Sequence, residues 1–386
     1  MDFNLTREQE MLRNMVREFA ERELLPRVEE FGETEGEFPF DVWKRIANLG
    51  LIGLHIPKEH GGNGMGHLAR IIAIEEIAKV YPGWGGNLRG FGLVPYVLSY
   101  HGTEEQKKKW LPKLCSGEIQ GSLAGTEACG GSDMLGISTT AVRKGDYYLV
   151  NGRKIMITRN TVSNVFLITA RTGDGPGDIS CILIEGDIPG FKRGRLENFI
   201  TKSRTSPVGE IIMTDCQVPV DHLIGKEHRG VGPMLTGINL GGRTGGAAVC
   251  LAVAESVLAI AAKYAKERQL YGKPLTDIQT LLFMIGEMGR NVARARMLLY
   301  YVGWLADHGK KSHEIGGEIS MAKLDASEAA LDNCLKAIEI LGGYGTTPEF
   351  GIIQRYKTAL DYITAAGSNN VSRLVVSNYI ANKYSE

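Results

Sequence analysis

Three glycine-bearing strings hold the residues whose types and spacing could bind an anionic cofactor. They are LAGTEACGGSD at 123–133, KERQLYGKPL at 266–275 and ILGGYGTTPEF at 340–350. Glycine lets backbone N–H groups approach an anion closely, and hydroxyls can satisfy the hydrogen-bonding atoms of a ring. The strings therefore indicate cofactor binding. A tight turn is the alternative for the first string, and a solvated helix face is the alternative for the second.

Other kinds of reactive site are disfavoured by the spacing of the remaining polar residues. GVGPMLTG at 230–237 lacks the glycine spacing and the preceding strand of a dinucleotide-binding fingerprint. Ser122 and Ser132 lie in no GxSxG string, which argues against a serine hydrolase. The eight histidines form neither an HExxH motif nor an i, i+4 pair, so we expect no metal site.

The composition narrows the class of protein further. A chain of 386 residues is long enough for two or three lobes with sizeable cores. The 44 lysine and arginine residues balance 44 aspartate and glutamate residues, so we expect no nucleic-acid partner. We find no apolar run of about 20 residues for a membrane span and no signal peptide. The six cysteines form no CxxC pair, which favours reduced thiols in the cytoplasm.

Hydrophobic periodicity divides the chain into a helical, a stranded and a second helical part. We predict an N-terminal helical domain at 1–118, a middle β-domain at 119–230 and a C-terminal four-helix bundle at 231–386. Short strands separated by turn residues favour an antiparallel barrel or sandwich in the middle. Within it, YYLVNGRKIMI at 147–157 predicts a hairpin that turns at Asn151-Gly152.

The order of these parts and strings resembles the acyl-CoA dehydrogenase family of flavoproteins, and the likeness runs along the whole chain. The resemblance implies that family's α+β fold, an FAD cofactor, an acyl-CoA or enoyl-CoA thioester substrate and a homotetramer. It also implies an electron-transferring flavoprotein as redox partner. The segments that carry it are HGTEEQKKKWLP (101–112), KSRTSPVGEIIMTDCQVP (202–219), KYAKERQLYGKPL (263–275), EILGGYGT (339–346) and SRLVV (372–376).

The resemblance assigns cofactor contacts to residues in several strings. TEACGGSD stands where the family has TEPGAGSD, and Arg268 matches the arginine that reaches the FAD pyrophosphate of a neighbouring subunit. Met156 replaces the usual tryptophan over the flavin, and a thioether would cover the ring less rigidly. Glu339 replaces the usual glutamine near the diphosphate. The implied FAD contacts are Thr126, Gly131, Ser132, Met156, Thr158, Arg268, Tyr271, Glu339, Gly342, Gly343, Ser368 and Asn370.

The catalytic base of the family is missing from both positions where members carry it. Most members have the glutamate in a YEGT string, and the matching residue here is Ala366. Other members have it before an arginine early in the bundle, where this chain has Gly242-Arg243. Asp361 and Tyr362 lie about one helical turn before Ala366 and are candidates for a replacement. Packing or capping is the alternative role for both.

Arg89 lies in GWGGNLRGFGLVPYVL at 83–98, which resembles the helix at the base of the family's acyl cavity. A guanidinium among apolar residues is costly unless it meets an anion, which favours an anionic acyl group. A surface position or a protein ion pair is the alternative. With Ser132 and Arg243, Arg89 completes the expected substrate contacts. Glycines could widen the cavity for a branched or cyclic acyl group; they are Gly85, Gly86, Gly90, Gly92, Gly241, Gly242, Gly245 and Gly246.

The sequence therefore predicts an FAD-dependent oxidoreductase that dehydrogenates an acyl-CoA or reduces an enoyl-CoA with a non-standard proton-transfer residue. Two alternatives stay open at this point. One is flavin-assisted elimination at Cα, such as decarboxylation, in which the leaving group replaces the base. The other is a non-catalytic partner subunit that binds FAD and a thioester. Flavin bleaching by candidate thioesters would distinguish an enzyme from such a partner.

Overall fold

The computed structural model describes residues 4–32, 37–201 and 203–385. The α-helices are α1 (Arg7–Phe19), α2 (Val28–Gly32), α3 (Phe40–Asn48), α4 (Gly66–Val80), α5 (Pro82–Phe91), α6 (Leu93–His101), α7 (Glu104–Cys115), α8 (Val231–Thr236), α9 (Thr244–Glu267), α10 (Gln279–Asp307), α11 (Gly316–Leu341), α12 (Ile352–Thr364) and α13 (Asn369–Tyr384). The strands are β1 (Gly121–Ala124), β2 (Thr140–Lys144), β3 (Tyr147–Thr158), β4 (Val165–Arg171), β5 (Ile179–Glu185), β6 (Phe191–Leu196), β7 (Val208–Pro219), β8 (Leu223–Ile224), β9 (Gln269–Leu270) and β10 (Lys273–Pro274).

The predicted succession of helices, strands and helices is confirmed. The main sheet is built from strands between Gly121 and Ile224, and the long helices of the C-terminal part follow it. Most strand pairs are antiparallel, as predicted, but β4 is parallel to both β1 and β2. A parallel pair requires a long connection, and the chain supplies one because β2 and β3 lie between β1 and β4.

The described residues fold into two compact units. The helical unit comprises Met1–Glu30, Ile71–Gly86 and Arg243–Glu386, and the sheet unit comprises Phe31–Arg70 and Asn87–Gly242. The domain limits at 118 and 230 stay predictions.

Two helices of the N-terminal part begin at capping boxes. The Thr6 hydroxyl accepts from the backbone N–H of Gln9, and the Gln9 side chain accepts from the backbone N–H of Thr6. Thr103 and Gln106 make the same reciprocal pair at the start of α7. Each box satisfies two N–H groups that have no partner within the helix. The starts of α1 and α7 are therefore encoded locally.

The predicted hairpin at Asn151-Gly152 is wrong. β3 continues through both residues, and the β2–β3 turn lies earlier, at Gly145-Asp146. Gly145 has a φ of +65°, whereas Gly152 has a φ of +158° and is close to extended. The register of β3 against β7 shifts between Val150 and Gly152. The glycine therefore marks a bulge, which is the other common use of glycine in a strand.

The centre of the sheet unit is buried on both faces of the sheet. One face of β4 and β5 carries Ile168 and Ile182, which pack in a cluster with Val150 of β3. The other face carries Leu167 and Leu183, which pack against helices α6 and α7. Strands covered on both faces appear in the sequence as nearly continuous apolar runs, as VFLITAR and ISCILIE do.

The core of the helical unit is formed by α9, α10 and α11, with α12 and α13 packed against them. The fully buried Asn333 of α11 joins these helices. Its amide donates to the carbonyl of Ala254 at 3.0 Å and to that of Met288 at 3.2 Å. The Asn291 amide donates to the Asn333 side-chain oxygen at 3.0 Å. The predicted bundle is therefore present, and a polar contact fixes how three of its helices meet.

The continuous helical stretch Val231–Glu267 is long and apolar enough to cross a membrane by length and composition. The sequence predicts a nearly apolar, mostly buried helix over 247–269 but no run long enough to span a membrane. Of the most apolar window of Val231–Glu267, 67% is buried inside the protein. A core helix that is covered on most sides has the same composition, and we interpret this stretch as such a helix.

Candidate functional site

The loop after β1 brings together three of the predicted cofactor residues of the sheet unit. Glu127 and Gly130 pair across a tight turn, and Gly131 and Ser132 follow it on the surface. A Cβ at Gly131 would lie only 2.9 Å from the Thr126 hydroxyl oxygen, so a larger residue would displace that hydroxyl. The Thr126 carbonyl accepts from the N–H of Ile155 at 2.9 Å, which ties the loop to β3.

A buried ion pair anchors this loop to β3. Lys154 donates to the Glu127 carboxylate at 2.7 Å, and both side chains are at most 2% exposed. The carboxylate also accepts from the backbone N–H and hydroxyl of Ser138 and from the N–H of Thr139. Burial alone would raise the pKa of Glu127, but these hydrogen bonds lower it to about 2. The loop is therefore held by a charged carboxylate at neutral pH.

The end of β3 supplies the other two predicted contacts of this unit. Met156 has a φ of +60° and is 46% exposed, at a shift in register between β3 and β7. Its thioether is therefore uncovered within the unit. The carbonyl of Thr158 accepts from the Ser122 hydroxyl at 2.7 Å, which fixes the strand end. Hydroxyls and backbone N–H groups can donate hydrogen bonds to a flavin ring, and an uncovered thioether can pack against its face.

The same loop carries Cys129. The side chain is exposed, and its thiol donates to the Gly136 carbonyl at 3.3 Å. The thiol points away from a core because the turn from Glu127 to Gly130 places residues 128 and 129 at its tip. The other cysteines are buried free thiols.

In the helical unit, the predicted FAD residues lie at the ends of helices. Arg268 follows α9 and is exposed, and Tyr271-Gly272 forms the turn of the β9–β10 ribbon, with Tyr271 88% exposed. Gly342 ends α11 with a φ of +60°, and its N–H donates to the Glu339 carbonyl. Gly343 follows on the surface. These exposed residues are available to a large ligand or to a neighbouring molecule.

Ser368 and Asn370 lie at the start of α13. The Ser368 hydroxyl accepts from the backbone N–H of Val371 at 3.2 Å and caps the helix. Asn370 accepts from Arg373 at 3.0 Å. Both residues line a groove of about 320 Å³, and its lining residues are Glu328, Leu331, Ile363, Thr364, Ser368, Asn369, Asn370 and Arg373. The two predicted cofactor residues therefore share one groove.

Ala366, which we predict to stand at the family's main base position, has an unusual backbone. Ala366 has a φ of +58°, a left-handed conformation that costs energy for a residue with a Cβ. Arg243, which is 6% exposed, donates from Nε to the Ala366 carbonyl at 3.2 Å and from Nη1 to the Ser320 hydroxyl. Burial lowers the pKa of Arg243. Gly242, the other predicted base position, lies in the π-helical turn Gly237–Arg243 and also offers no carboxylate.

Tyr362 and Asp361 occupy the last turns of α12. Tyr362 is buried. A Cβ added at Gly86 would lie 3.2 Å from the Tyr362 hydroxyl, and a Cβ added at Gly246 would lie 3.1 Å from the Tyr362 ring. These glycines therefore admit a tyrosine rather than widen a cavity. Asp361 is half-buried, and its carbonyl accepts from the N–H of Ala365 at 3.0 Å.

Two arginines that the sequence analysis missed lie near Arg89 in the sheet unit. Arg159 contacts Gly90, and a Cβ at Gly92 would lie 2.7 Å from Arg70 Nε. The glycines at 90 and 92 therefore receive guanidinium groups, and the expected widening of a cavity at these positions is wrong. Arg159 directly follows Thr158 in the sequence. A charged residue next to a predicted flavin contact was the sequence feature by which this arginine could have been found.

The family models and relatives agree with this fold. Models of the acyl-CoA dehydrogenase N-terminal, middle and C-terminal domains match residues 6–118, 122–216 and 228–380. The short-chain-specific acyl-CoA dehydrogenase of Clostridium acetobutylicum is 38% identical over 383 residues, 98% of this chain and 100% of that protein. The CarC subunit of the caffeyl-CoA reductase–Etf complex of Acetobacterium woodii is 35% identical over 381 residues, 97% of this chain and 98% of that one.

A solved structure gives the same result. The butyryl-CoA dehydrogenase of Megasphaera elsdenii matches with a TM-score of 0.93 at 30% identity, covering 98% of this chain and 100% of that one. The fold and these matches define the class of protein as a flavin-dependent oxidoreductase acting on CH–CH groups. The chain belongs to the acyl-CoA dehydrogenase family.

Proposed function

We propose that this enzyme interconverts an acyl-CoA and its α,β-enoyl-CoA with a proton-transfer residue other than the family's glutamate. The observation that carries this proposal is Ala366, which offers a methyl group and a carbonyl held by Arg243. A methyl group can neither accept nor donate a proton. General acid–base catalysis typically contributes about 10²–10⁴-fold, so another group must supply it or the reaction must avoid it.

The cofactor is FAD, which supplies the hydride chemistry when it is bound. In the sheet unit, Thr126, Gly131, Ser132, Met156 and Thr158 would hold it. In the helical unit the proposed contacts are Arg268, Tyr271, Glu339, Gly342, Gly343, Ser368 and Asn370. The exposed positions of Arg268 and Tyr271 at the end of α9 support this assignment.

Tyr362 is the proton-transfer residue that we favour over Asp361. It is the more buried of the two and lies one helical turn before Ala366. A phenol holds its proton at neutral pH and can donate it, which suits the reductive direction in which Cα gains a proton. The similarity to the CarC subunit of a caffeyl-CoA reductase supports that direction.

The test is single-turnover kinetics on FAD-loaded Tyr362→Phe and Asp361→Asn variants with an enoyl-CoA and its saturated counterpart. We expect Tyr362→Phe to slow turnover roughly 100-fold or more with unchanged flavin content. Tyr356→Phe on the same helix is the matched control and should leave the rate unchanged. If Tyr362→Phe and Asp361→Asn both turn over at the wild-type rate, neither residue transfers the proton.

The proposed substrate contacts are Ser132, Arg243 and Arg89. Ser132 is exposed beside the Thr126 loop, and Arg243 adjoins the position of the usual base. Arg89 is half-buried in the last turn of α5, and its positive charge supports an anionic acyl group. The filled spaces at Gly90 and Gly92 give no support to a bulky cyclic one.

A second candidate reaction is elimination at Cα, such as decarboxylation. It is favoured by the absence of a carboxylate at positions 366 and 242 together with arginines in the sheet unit, because loss of CO2 generates the carbanion without a base. Release of labelled CO2 from an α-carboxylated thioester would support it. No release, with normal flavin bleaching by simple thioesters, would exclude it. A non-catalytic partner subunit would show neither reaction.

We also propose a cytoplasmic homotetramer that exchanges electrons with an electron-transferring flavoprotein. Similarity to a subunit of an Etf-containing complex supports the redox partner. Exposed apolar residues of the helical unit support self-association. They are Leu282, Phe283, Met297, Tyr301 and Leu335. Light scattering of the FAD-loaded protein measures the mass directly, and a monomer at micromolar concentration would contradict the tetramer.

A further inference from the structure

Three polar side chains lie on one buried face of α11. They are Ser320, Lys323 and Ser327, and each is at most 1% exposed. Spacings of three and four residues place side chains on the same side of a helix. Buried polar groups are rarely left without a hydrogen-bond partner. We therefore expect this face to meet polar groups of the elements that pack against α11.

Lys323 meets the first residue of α13. Its ammonium donates to the side-chain oxygen of Asn369 at 2.6 Å, and the Ser327 hydroxyl lies 3.1 Å from the same oxygen. Asn369 is 5% exposed, so water competes little for this contact. The start of α13 is therefore fixed to α11 through the Asn369 side chain.

Ser320 connects the same helix to the other end of the turn before α13. Its hydroxyl accepts from Arg243 Nη1 at 3.4 Å, and Arg243 Nε donates to the Ala366 carbonyl at 3.2 Å. The proposed FAD contact Ser368 lies within the segment 366–369, and the proposed contact Asn370 directly follows it. One face of α11 therefore holds both ends of a segment to which two proposed cofactor contacts belong or adjoin.

In the part of the chain that the structure describes, no carboxylate forms an ion pair with the buried Lys323 ammonium. Two acidic residues of the same helix pair elsewhere, Asp325 with Arg294 at 2.6 Å and Glu328 with Arg373. A buried charge that lacks an opposite charge contributes little to stability or lowers it. Function therefore explains this lysine better than fold stability does.

The charge of Lys323 is retained at neutral pH despite its burial. Burial lowers the pKa of Lys323 to about 8, and the charges of Arg243 and Arg373 act in the same direction. Cys250 and Glu328 oppose this shift. Because most of the ammonium is protonated at pH 7, its hydrogen bond to α13 is charge-assisted and belongs to the stronger class of such bonds.

We propose that Lys323 is a positioning residue for bound FAD, and that it acts by fixing Asn369 at the start of α13. This inference rests on the proposed function, which assigns Ser368 and Asn370 to the cofactor. Asn369 lines the same groove as these two residues, so it transmits the hold of α11 to the groove wall. Lys323 itself lies behind that wall and is not among the residues that line the groove.

The test is equilibrium dialysis of the FAD-loaded full chain and its variants. Lys323→Met should raise the dissociation constant for FAD roughly tenfold or more, because a charge-assisted contact is lost. Asn369→Ala should have a similar effect. The double variant should bind FAD no more weakly than the weaker single variant, since both substitutions break one contact. Lys336→Met is the matched control on the same helix, where Lys336 pairs with Asp332.

Unfolding in guanidinium chloride with excess FAD separates positioning from a structural role. After Lys323→Met, the Ser327 hydroxyl can still donate to Asn369, and no carboxylate loses a partner. The free energy of unfolding should therefore fall by no more than about 1.4 kcal/mol for each tenfold loss of FAD affinity, which weaker binding alone accounts for. A larger fall would show that Lys323 supports the fold itself, and it would overturn the proposal.

Three further outcomes would contradict the inference. Equal FAD affinity in Lys323→Met and Lys336→Met would refute it and leave the proposed function intact. Additive losses in the double variant would show that Lys323 does not act through Asn369. A wild type that retains no FAD would refute the proposed cofactor contacts together with this inference. If Lys323→Met does not fold, Lys323→Gln replaces it, with a loss of about threefold or more expected and wild-type affinity as the refuting result.

Discussion

Arg243 donates a hydrogen bond from Nε to the carbonyl oxygen of Ala366 at 3.2 Å, and Ala366 has a φ of +58°. The arginine therefore holds a left-handed turn at the residue that we predict to correspond to the family's glutamate. The contact links the turn between α12 and α13 to the start of α9.

Restoring a carboxylate at this turn should restore α-proton abstraction. Wild type should reduce its flavin slowly with butyryl-CoA, and Ala366→Glu should speed that step by about 10²–10⁴-fold. Anaerobic stopped-flow absorbance of the flavin measures the rate. Thr364→Glu, at an exposed position two residues earlier, should have no effect, and Gly242→Glu tests the second position. Rapid bleaching of the wild type by butyryl-CoA would contradict the missing-base interpretation.

Replacing Ala366 with glycine should stabilise the protein. The left-handed conformation costs a residue with a Cβ about 1 kcal/mol, and glycine avoids that cost. We expect the free energy of unfolding in guanidinium chloride to rise by about 1 kcal/mol. Ala365→Gly is the control, because Ala365 has an ordinary φ of −67° and should lose about 0.5–1 kcal/mol. A loss of stability in both variants would show that the turn at 366 is not strained.

Breaking the Glu127–Lys154 pair should loosen the flavin-side loop. Lys154→Met leaves a buried carboxylate without its main partner, which typically costs about 3–5 kcal/mol. We expect a corresponding fall in the free energy of unfolding and weaker FAD retention on dialysis. Glu118→Gln, at an exposed ion pair, is the control. FAD retention equal to that of wild type would show that this ion pair does not contribute to cofactor binding.

The same pair predicts a dependence on pH. The folded pKa of Glu127 is about 2, below its unfolded value, so its stabilising contribution is complete above about pH 4.5. That contribution should be lost as the pH falls from about 4.5 towards 2. Glu127→Gln should show a shallower loss of stability over this range than wild type. Identical slopes for the two proteins would assign the acid sensitivity to other carboxylates.

Removing the charge of Arg268 should weaken flavin binding without unfolding the chain. The side chain is exposed at the end of α9, and a charge-assisted hydrogen bond to a phosphate contributes roughly tenfold in affinity or more. Arg268→Ala should therefore raise the dissociation constant for FAD, measured by fluorescence titration of the apoprotein. Lys263→Ala, exposed on the same helix, is the control. If both substitutions raise the dissociation constant for FAD equally, the effect comes from the loss of positive charge in general and not from a contact made by Arg268.

The sequence alone determined the features that depend on neighbouring residues. The capping boxes at Thr6 and Thr103 start their helices through hydrogen bonds that span three positions. The apolar runs of β4 and β5 predicted strands, because a strand covered on both faces needs no polar alternation. The family could likewise be recognised from the order of strings along the chain, whereas the missing glutamates stay a prediction.

Only the tertiary structure decided which side chains occupy the spaces beside the glycines. Gly90 receives Arg159, Gly92 receives Arg70, and Gly246 receives Tyr362, across separations of 69, 22 and 116 residues in the printed numbering. Local pattern cannot distinguish a glycine that opens a cavity from one that admits a distant side chain, since both positions simply lack a Cβ. Asn151-Gly152 shows the same limit, because pairing with β7 turned a local hairpin signal into a bulge. Long-range packing made these choices, and its energy depends on atoms far away in the chain.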